Sequence, residues 1–220
     1  MKTSKLIAQY LLAGSLLIGM SNSFALDDSD LQYNSIALGY NSSSVPGYSQ
    51  KINGTGVSGS YLVNNNVFIG GGINDATFSP PGYTQVKYST VDLGVGYRYG
   101  ISRTTDLTTT VDYSSTDITE AGYIGVTQYG KTIGFGIRSL VAPNVELGGY
   151  VNFENYQNQT TNSNIALTSG TATQIGTGIR FFISNEFAVR AAYGYSSSNS
   201  SNGKTYTSNS IGISAAYFFQ

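Results

Sequence analysis

Nine ionisable side chains at alternate positions of apolar segments are the residues of this chain best suited to chemistry. Four arginines and five acids can form ion pairs or, inside an enclosed space, set up a field that acts on small ions. The chain contains no His and no Cys, which excludes His-assisted hydrolysis, thiolate catalysis, disulfides and Cys-ligated metal centres. We therefore expect no enzymatic activity, no cofactor and no metal. The nine residues are Asp92, Arg98, Asp106, Asp112, Arg138, Glu146, Glu154, Arg180 and Arg190.

Short turns between the segments predict which of these charges are neighbours. A turn near Ser102 would place Arg98 opposite Asp106. A turn at Ala142 and Pro143 would place Arg138 opposite or diagonal to Glu146.

The turn at Asn185 would bring Arg180 and Arg190 face to face. Like charges directly opposite are unfavourable, so Glu146 is the expected neutralising group. We predict a lumen charge belt of Arg98, Asp106, Arg138, Glu146, Arg180 and Arg190. Three interpretations are open: a salt-bridge network that closes a packed lumen, an eyelet for small ions, or a proton or substrate relay.

The segments that carry these charges alternate apolar and polar residues with period two, which is typical of β-strands. Ten such segments occur along the chain. They are 36–40, 57–63, 67–73, 91–99, 107–113, 133–137, 145–153, 175–183, 187–195 and 211–219.

The breaks between the segments alternate in size. Four short turns lie near residues 64–66, 100–105, 142–144 and 184–186, and they predict up-and-down hairpins. Five longer polar connections are expected at 41–50, 75–85, 114–122, 155–170 and 196–205.

The first 25 residues predict a cleaved signal peptide. Lys2 and Lys5 precede a mostly apolar stretch, and Ser23 and Ala25 supply the small residues of a cleavage site. We therefore divide the chain into a signal peptide, residues 1–25, and one β-domain, residues 26–220.

Two environments could explain the alternation. A soluble β-domain that is secreted or periplasmic would turn its apolar face to a core, whereas a membrane barrel turns it to lipid. Only 10% of residues are charged and the net charge is −1, so a nucleic-acid partner is not expected. Aromatic residues near the segment ends, including Tyr97, Phe187, Tyr113 and Tyr195, fit two interfacial girdles and favour the barrel.

The last segment, Ser210 to Phe219, carries alternating apolar residues and ends in an aromatic pair before Gln220. In this and in its repeated hairpins the chain resembles small OmpA- and OmpX-type outer-membrane β-barrels. The resemblance implies an all-β, up-and-down antiparallel transmembrane barrel in the bacterial outer membrane. We expect ten strands, with eight as the alternative, and a monomer whose C-terminal strand is read by the outer-membrane assembly machinery.

Three lysines, Lys51, Lys87 and Lys131, have the same parity as the lipid-facing residues. They either extend into solvent or contact lipopolysaccharide phosphates among the outer-membrane lipids. For the whole molecule we expect a non-enzymatic structural or surface-interaction role, such as adhesion. A narrow porin for small ions or solutes is the alternative.

Overall fold

The computed structural model describes residues 31–44, 47–79, 82, 84–120, 125–160, 166–201 and 203–219. The predicted signal peptide lies outside these residues. No helix in the described part of the chain is long and apolar enough to cross a membrane.

Within the described residues, ten antiparallel strands close into one barrel, each pairing with its neighbours in the sequence, and β1 pairs with β10. The expected ten strands are confirmed, and the eight-strand alternative is wrong because β1 and β2 belong to the closed ladder. The strands are β1 Ser35–Ser44, β2 Lys51–Leu62, β3 Val67–Phe78, β4 Val86–Ser102, β5 Thr105–Glu120, β6 Val126–Ala142, β7 Val145–Thr160, β8 Ala166–Phe182, β9 Phe187–Ser200 and β10 Thr205–Phe218.

The barrel has a lower end, where β1 begins and β10 finishes, and an upper end with the longer connections. Side chains fix the tight turns at the lower end. The Asn64 Oδ1 accepts hydrogen bonds from the backbone N of Asn66 (3.0 Å) and of Val67 (2.9 Å). The Ser184 Oγ accepts in the same way from Glu186 and Phe187. Asn and Ser thus satisfy backbone donors that the chain reversal would leave open.

Apolar side chains cover the outside of the barrel around its lower half. Leu38 is 64% exposed, Leu93 68% and Ile183 74%. A soluble β-domain would bury such residues in its core. An apolar band on the outer face is instead what contact with lipid requires.

The long connections expected at 114–122 and 155–170 are wrong in extent. β5 continues to Glu120, β7 continues to Thr160 and β8 begins at Ala166. A strand of 17 residues such as β4 rises about 40 Å when tilted like a typical barrel strand, well beyond an apolar band of about 25 Å. The upper part of the wall therefore projects past the band.

The face that carries apolar residues inverts where the wall leaves the band. In β4, Val91 and Leu93 are exposed on the outside, whereas Val86 and Tyr88 are buried inside the barrel and Lys87 faces out. The upper wall is thus built like a soluble barrel, apolar inside and polar outside. The strand keeps its period of two through this inversion, but its outward residues above the band are polar. Polar residues at outward positions resemble loop sequence when only an apolar outward face is sought.

Candidate functional site: the barrel lumen and its two seals

The six residues predicted as a charge belt lie in the lower part of the lumen. Each belongs to a strand, and its side chain faces inward. Asp106 lies directly opposite Arg138 on the β5–β6 ladder. Glu146 lies directly opposite Arg180 on the β7–β8 ladder. Arg180 in turn lies opposite Arg190 on β9. Five of the six are buried, with Arg190 half-buried.

Glu146 is the shared acceptor of two guanidinium groups. Its Oε1 accepts hydrogen bonds from Arg138 Nε (2.9 Å) and from Arg180 Nη1 (3.0 Å), and its Oε2 accepts from Arg138 Nη2. In an enclosed lumen such charge-assisted bonds are strong. Three strands, β6, β7 and β8, are therefore tied together by one carboxylate.

The prediction that Arg98 stands opposite Asp106 is wrong in register. Arg98 pairs with Thr108, and Asp106 pairs with Gly100, because the tight turn is made by Arg103 and Thr104 rather than being centred on Ser102. The side chains still approach diagonally, with 3.7 Å between Arg98 Nη1 and Asp106 Oδ2. The Arg98 Nε also donates to the backbone O of Asn65.

The segment before β1 enters the lower mouth and closes it. Tyr33 is 1% exposed, and the guanidinium carbons of Arg98 and Arg138 each lie 5.3 Å from the centre of its ring. The Tyr33 hydroxyl donates to Asp106 Oδ2 at 3.3 Å, and Phe68 packs against the ring at 5.4 Å between centroids. Burial raises the pKa of Tyr33 above its ordinary value, so the phenol keeps the proton it donates. We call Tyr33, Phe68, Arg98, Asp106 and Arg138 the lower seal.

An apolar cluster fills the upper lumen along β2 to β6. Phe78 lies in it, fully buried, with the Tyr48 ring edge-on at 5.4 Å. Ser43, Asn158, Ser198 and Ser208 are buried on the facing strands at this end. We call the apolar cluster the upper seal; its members are Ile52, Ala76, Phe78, Val86, Tyr88, Ile118 and Val126.

Two cavities, of about 30 and 70 Å³, lie between the seals. Arg180 and Arg190 border both of them, and Asp92 borders the larger. Cavities of this size hold a few water molecules at most. Among the described residues, no group of three or more Asp, Glu, His or Cys side chains could hold a metal ion.

The three lysines singled out in the sequence lie on the outer face of the wall and are exposed. Lys131 pairs with Tyr113 in the ladder, and the ring of Tyr113 stacks on that of Tyr129 at 6.3 Å. Ile133, two residues below Lys131 on the same face, is part of the apolar band. Lys131 therefore marks the upper edge of the band, and Lys51 and Lys87 lie at the upper ends of β2 and β4.

Sequence reasoning missed Tyr33 and the upper seal. The signal for Tyr33 was an aromatic residue in the polar stretch directly before the first strand. The signal for the upper seal was a change in the phase of the alternation. Val86 and Tyr88 are apolar at even positions, with Lys87 and Ser89 between them, whereas Val91 and Leu93 are apolar at odd positions.

Residues 69–219, more than half of the chain, match the family described as outer membrane protein β-barrel domain. The chain belongs to this outer-membrane β-barrel family. The barrel is accordingly a protein of the bacterial outer membrane, and the alternative of a secreted or periplasmic soluble β-domain is wrong, because the exposed apolar band faces lipid.

Solved structures share the fold of this outer-membrane barrel. It is similar to the translocator domain of the autotransporter NalP from Neisseria meningitidis, at 13% identity and a TM-score of 0.51, covering 98% of this chain and 96% of that one. It is also similar to the outer membrane protease OmpT from Escherichia coli, at 13% identity and a TM-score of 0.51, covering 91% and 99%. The β domain of the Bordetella autotransporter BrkA gives 12% identity, a TM-score of 0.51 and coverage of 86% and 100%. No curated protein matches the sequence.

Proposed function

We propose that this barrel is a non-enzymatic outer-membrane protein with a structural or surface-interaction role, and that it does not conduct solutes. The observation that carries the proposal is the double closure of its lumen, by the lower seal around Tyr33 and by the upper seal around Phe78. Ten strands enclose little more space than side chains can fill. The lack of any His in the chain further disfavours a hydrolytic site.

Planar lipid bilayers test this proposal. The purified mature barrel, inserted at a known copy number, is expected to leave the bilayer conductance at its baseline across a range of voltages. Discrete conductance steps from the unmodified barrel would overturn it.

The second candidate is a narrow channel for small ions, and the two cavities bordered by Arg180 and Arg190 favour it. If steps are recorded, Arg180→Gln should change their anion preference, because a lumen charge sets the local ion concentration.

The lower end faces the periplasm in this proposal, so the polar upper wall stands at the cell surface. Its outer face offers the hydroxyls and amides of β5 to β8 to a host or matrix partner, which is where we place adhesion. Replacing the outward-facing Asn155, Gln157 and Gln159 of β7 with Ser should weaken binding of cells to such material while leaving the barrel folded. Unchanged adhesion would locate the contact elsewhere.

We also propose that Lys51, Lys87 and Lys131 contact lipopolysaccharide phosphates. Lys131 supports this, because it lies beside two stacked tyrosines at the upper edge of the apolar band. The triple change to Gln should reduce the lipopolysaccharide that co-purifies with the barrel. Arg103→Gln, which removes an exposed cation from the lower end, is the matched control, and equal lipid loss in both variants would reject the idea.

The assembly machinery is the other proposed partner, through β10. This strand closes the barrel against β1 and carries Tyr217 and Phe219 outward at its end. Phe219→Ala should lower the yield of assembled barrel more than Phe187→Ala, a change of the same kind on the adjacent strand.

A further inference from the structure

Two arginines lie face to face on adjacent strands in the lower lumen. Arg180 of β8 and Arg190 of β9 are directly opposite each other in the ladder. Like charges at directly opposed positions destabilise the pairing of strands. Both side chains face the lumen, where Arg180 is buried and Arg190 is half-buried, so bulk water screens their repulsion poorly. Negative charge close to both groups is needed to offset this repulsion.

Glu146 supplies one negative charge, and its hydrogen-bonding capacity is used up in doing so. Its two oxygens accept four hydrogen bonds, two from Arg138 and two from Arg180 Nη1, the latter at 3.0 and 3.1 Å. A carboxylate offers about four lone-pair positions, so Glu146 has none left for a further guanidinium group. Three positive groups, those of Arg138, Arg180 and Arg190, thus surround one saturated carboxylate.

The smaller of the two lumen cavities, of about 30 Å³, lies at this surplus of positive charge. All four of these charged residues line it, and Glu146 is the only carboxylate among the described residues that do so. Thr108, Tyr150 and Asn152 add hydroxyl and amide groups to its lining, and such groups can donate hydrogen bonds to an anion. The larger cavity differs, because Asp92 already faces the same arginines there.

Two glycines make room for this smaller cavity. Gly148 and Gly178 line it and pair directly in the β7–β8 ladder. A Cβ at Gly178 would lie 3.0 Å from Arg190 Nε and 3.3 Å from its Nη2, so the guanidinium group of Arg190 lies over Gly178. Arg180 is two residues further along the same face of β8. The two guanidinium groups therefore reach the cavity from neighbouring positions of one strand.

We propose that one monatomic anion, a halide such as chloride, binds in the smaller cavity between the guanidinium groups of Arg180 and Arg190. The ion supplies the negative charge that the saturated Glu146 cannot, and it allows β8 and β9 to pair across two like charges. One water molecule occupies about 10–15 Å³ of such space, so the cavity accommodates a halide but not a phosphate. The anion is a structural ligand of the folded barrel, whether or not the lumen conducts.

Urea unfolding in detergent micelles tests the proposal at equilibrium, since urea carries no charge of its own. Sodium chloride replaces sodium gluconate at constant ionic strength, because gluconate is too large for the cavity. A ligand that binds only the folded state stabilises it by mass action. Once chloride is in excess of its dissociation constant, a tenfold rise in its concentration should raise the equilibrium constant for folding about tenfold. A constant that is the same in chloride and in gluconate would overturn the proposal.

Arg190→Gln removes the surplus charge and should abolish this dependence on chloride. Arg103→Gln, which removes an exposed cation from the lower end, is the matched control and should retain the full dependence. If Arg190→Gln does not fold, as judged by its gel mobility with and without heating, Gly178→Ala replaces it. Its methyl group displaces the Arg190 guanidinium and takes up part of the cavity, so the dependence should again be lost. Equal dependence in the unmodified barrel and in these site variants would refute the site.

Anomalous diffraction from crystals grown in sodium bromide locates the ion directly. A bromide peak is expected in the smaller cavity, within contact distance of both Arg180 and Arg190. A peak only in the larger cavity beside Asp92, or no peak in the lumen, would refute the assignment.

Discussion

Glu146 is the residue on which the lower lumen depends, because it accepts bonds from both Arg138 and Arg180. Removing one partner of a buried ionic group is costly, since the remaining charges stay desolvated. Glu146→Gln leaves two guanidinium groups without their shared carboxylate. We expect a loss of about 3–5 kcal/mol in the free energy of unfolding, measured by urea titration in detergent micelles.

Glu186→Gln is the control for this change, because Glu186 is an exposed acid in the next lower turn. Its loss should alter the free energy of unfolding by less than about 1 kcal/mol. Equal effects of the two substitutions would mean that the network around Glu146 contributes nothing specific.

The number of residues between each charge and its nearest short turn predicted that Arg138, Glu146 and Arg180 lie near one another. This prediction is possible because tight turns fix the register of the strands that follow them. It failed by two residues for Arg98 and Asp106, because the turn between β4 and β5 lies at Arg103 and Thr104, beyond Ser102. Tyr33 was beyond such reasoning altogether. It belongs to no strand, and its place between two guanidinium groups depends on the closed barrel around it.

At the level of strands, the inversion of polarity within β4 sets the height of the barrel in the membrane. The ten strands were predictable wherever apolar residues face lipid, since the alternation there is strong. Their upper parts were not, because the apolar face turns inward at residues such as Tyr88 while Lys87 and Ser89 turn outward. A search for one continuous apolar face ends at this inversion, and the remainder is then assigned to loops.

Two arginine substitutions on the outer face of β4 test where the band ends. Val95 lies within the band and is 48% exposed, so Val95→Arg should cost about 2–4 kcal/mol of unfolding free energy. Ser89 lies above the inversion and bonds Asp75 on the outer face at 2.6 Å; Ser89→Arg should cost no more than about 1 kcal/mol. Similar costs for both, measured by reversible unfolding in lipid vesicles, would place the inversion elsewhere.

For the whole molecule, two independent closures in series make a simple prediction about conduction. Tyr33→Ala weakens the lower seal, and the pair Phe78→Ala and Tyr88→Ala weakens the upper one. Each set alone should leave a planar bilayer at baseline conductance, because the other closure remains. The triple variant should conduct, provided that its gel mobility shows a folded barrel.

Conduction by Tyr33→Ala alone would contradict the role assigned to the upper apolar cluster. A silent but folded triple variant would show that side chains between the two closures, around Arg180 and Arg190, also obstruct the lumen.

The tall upper wall has a consequence for what other cells, phages and antibodies can reach. Six residues of β6, Val126 to Lys131, lie above the inversion, which is about 20 Å along the strand and about 15 Å along the membrane normal. In the proposed orientation, with the lower end in the periplasm, this part of the wall stands outside the apolar band at the cell surface. Substitutions on its outward face can then change what the cell displays without disturbing the part of the protein that is solvated by lipid.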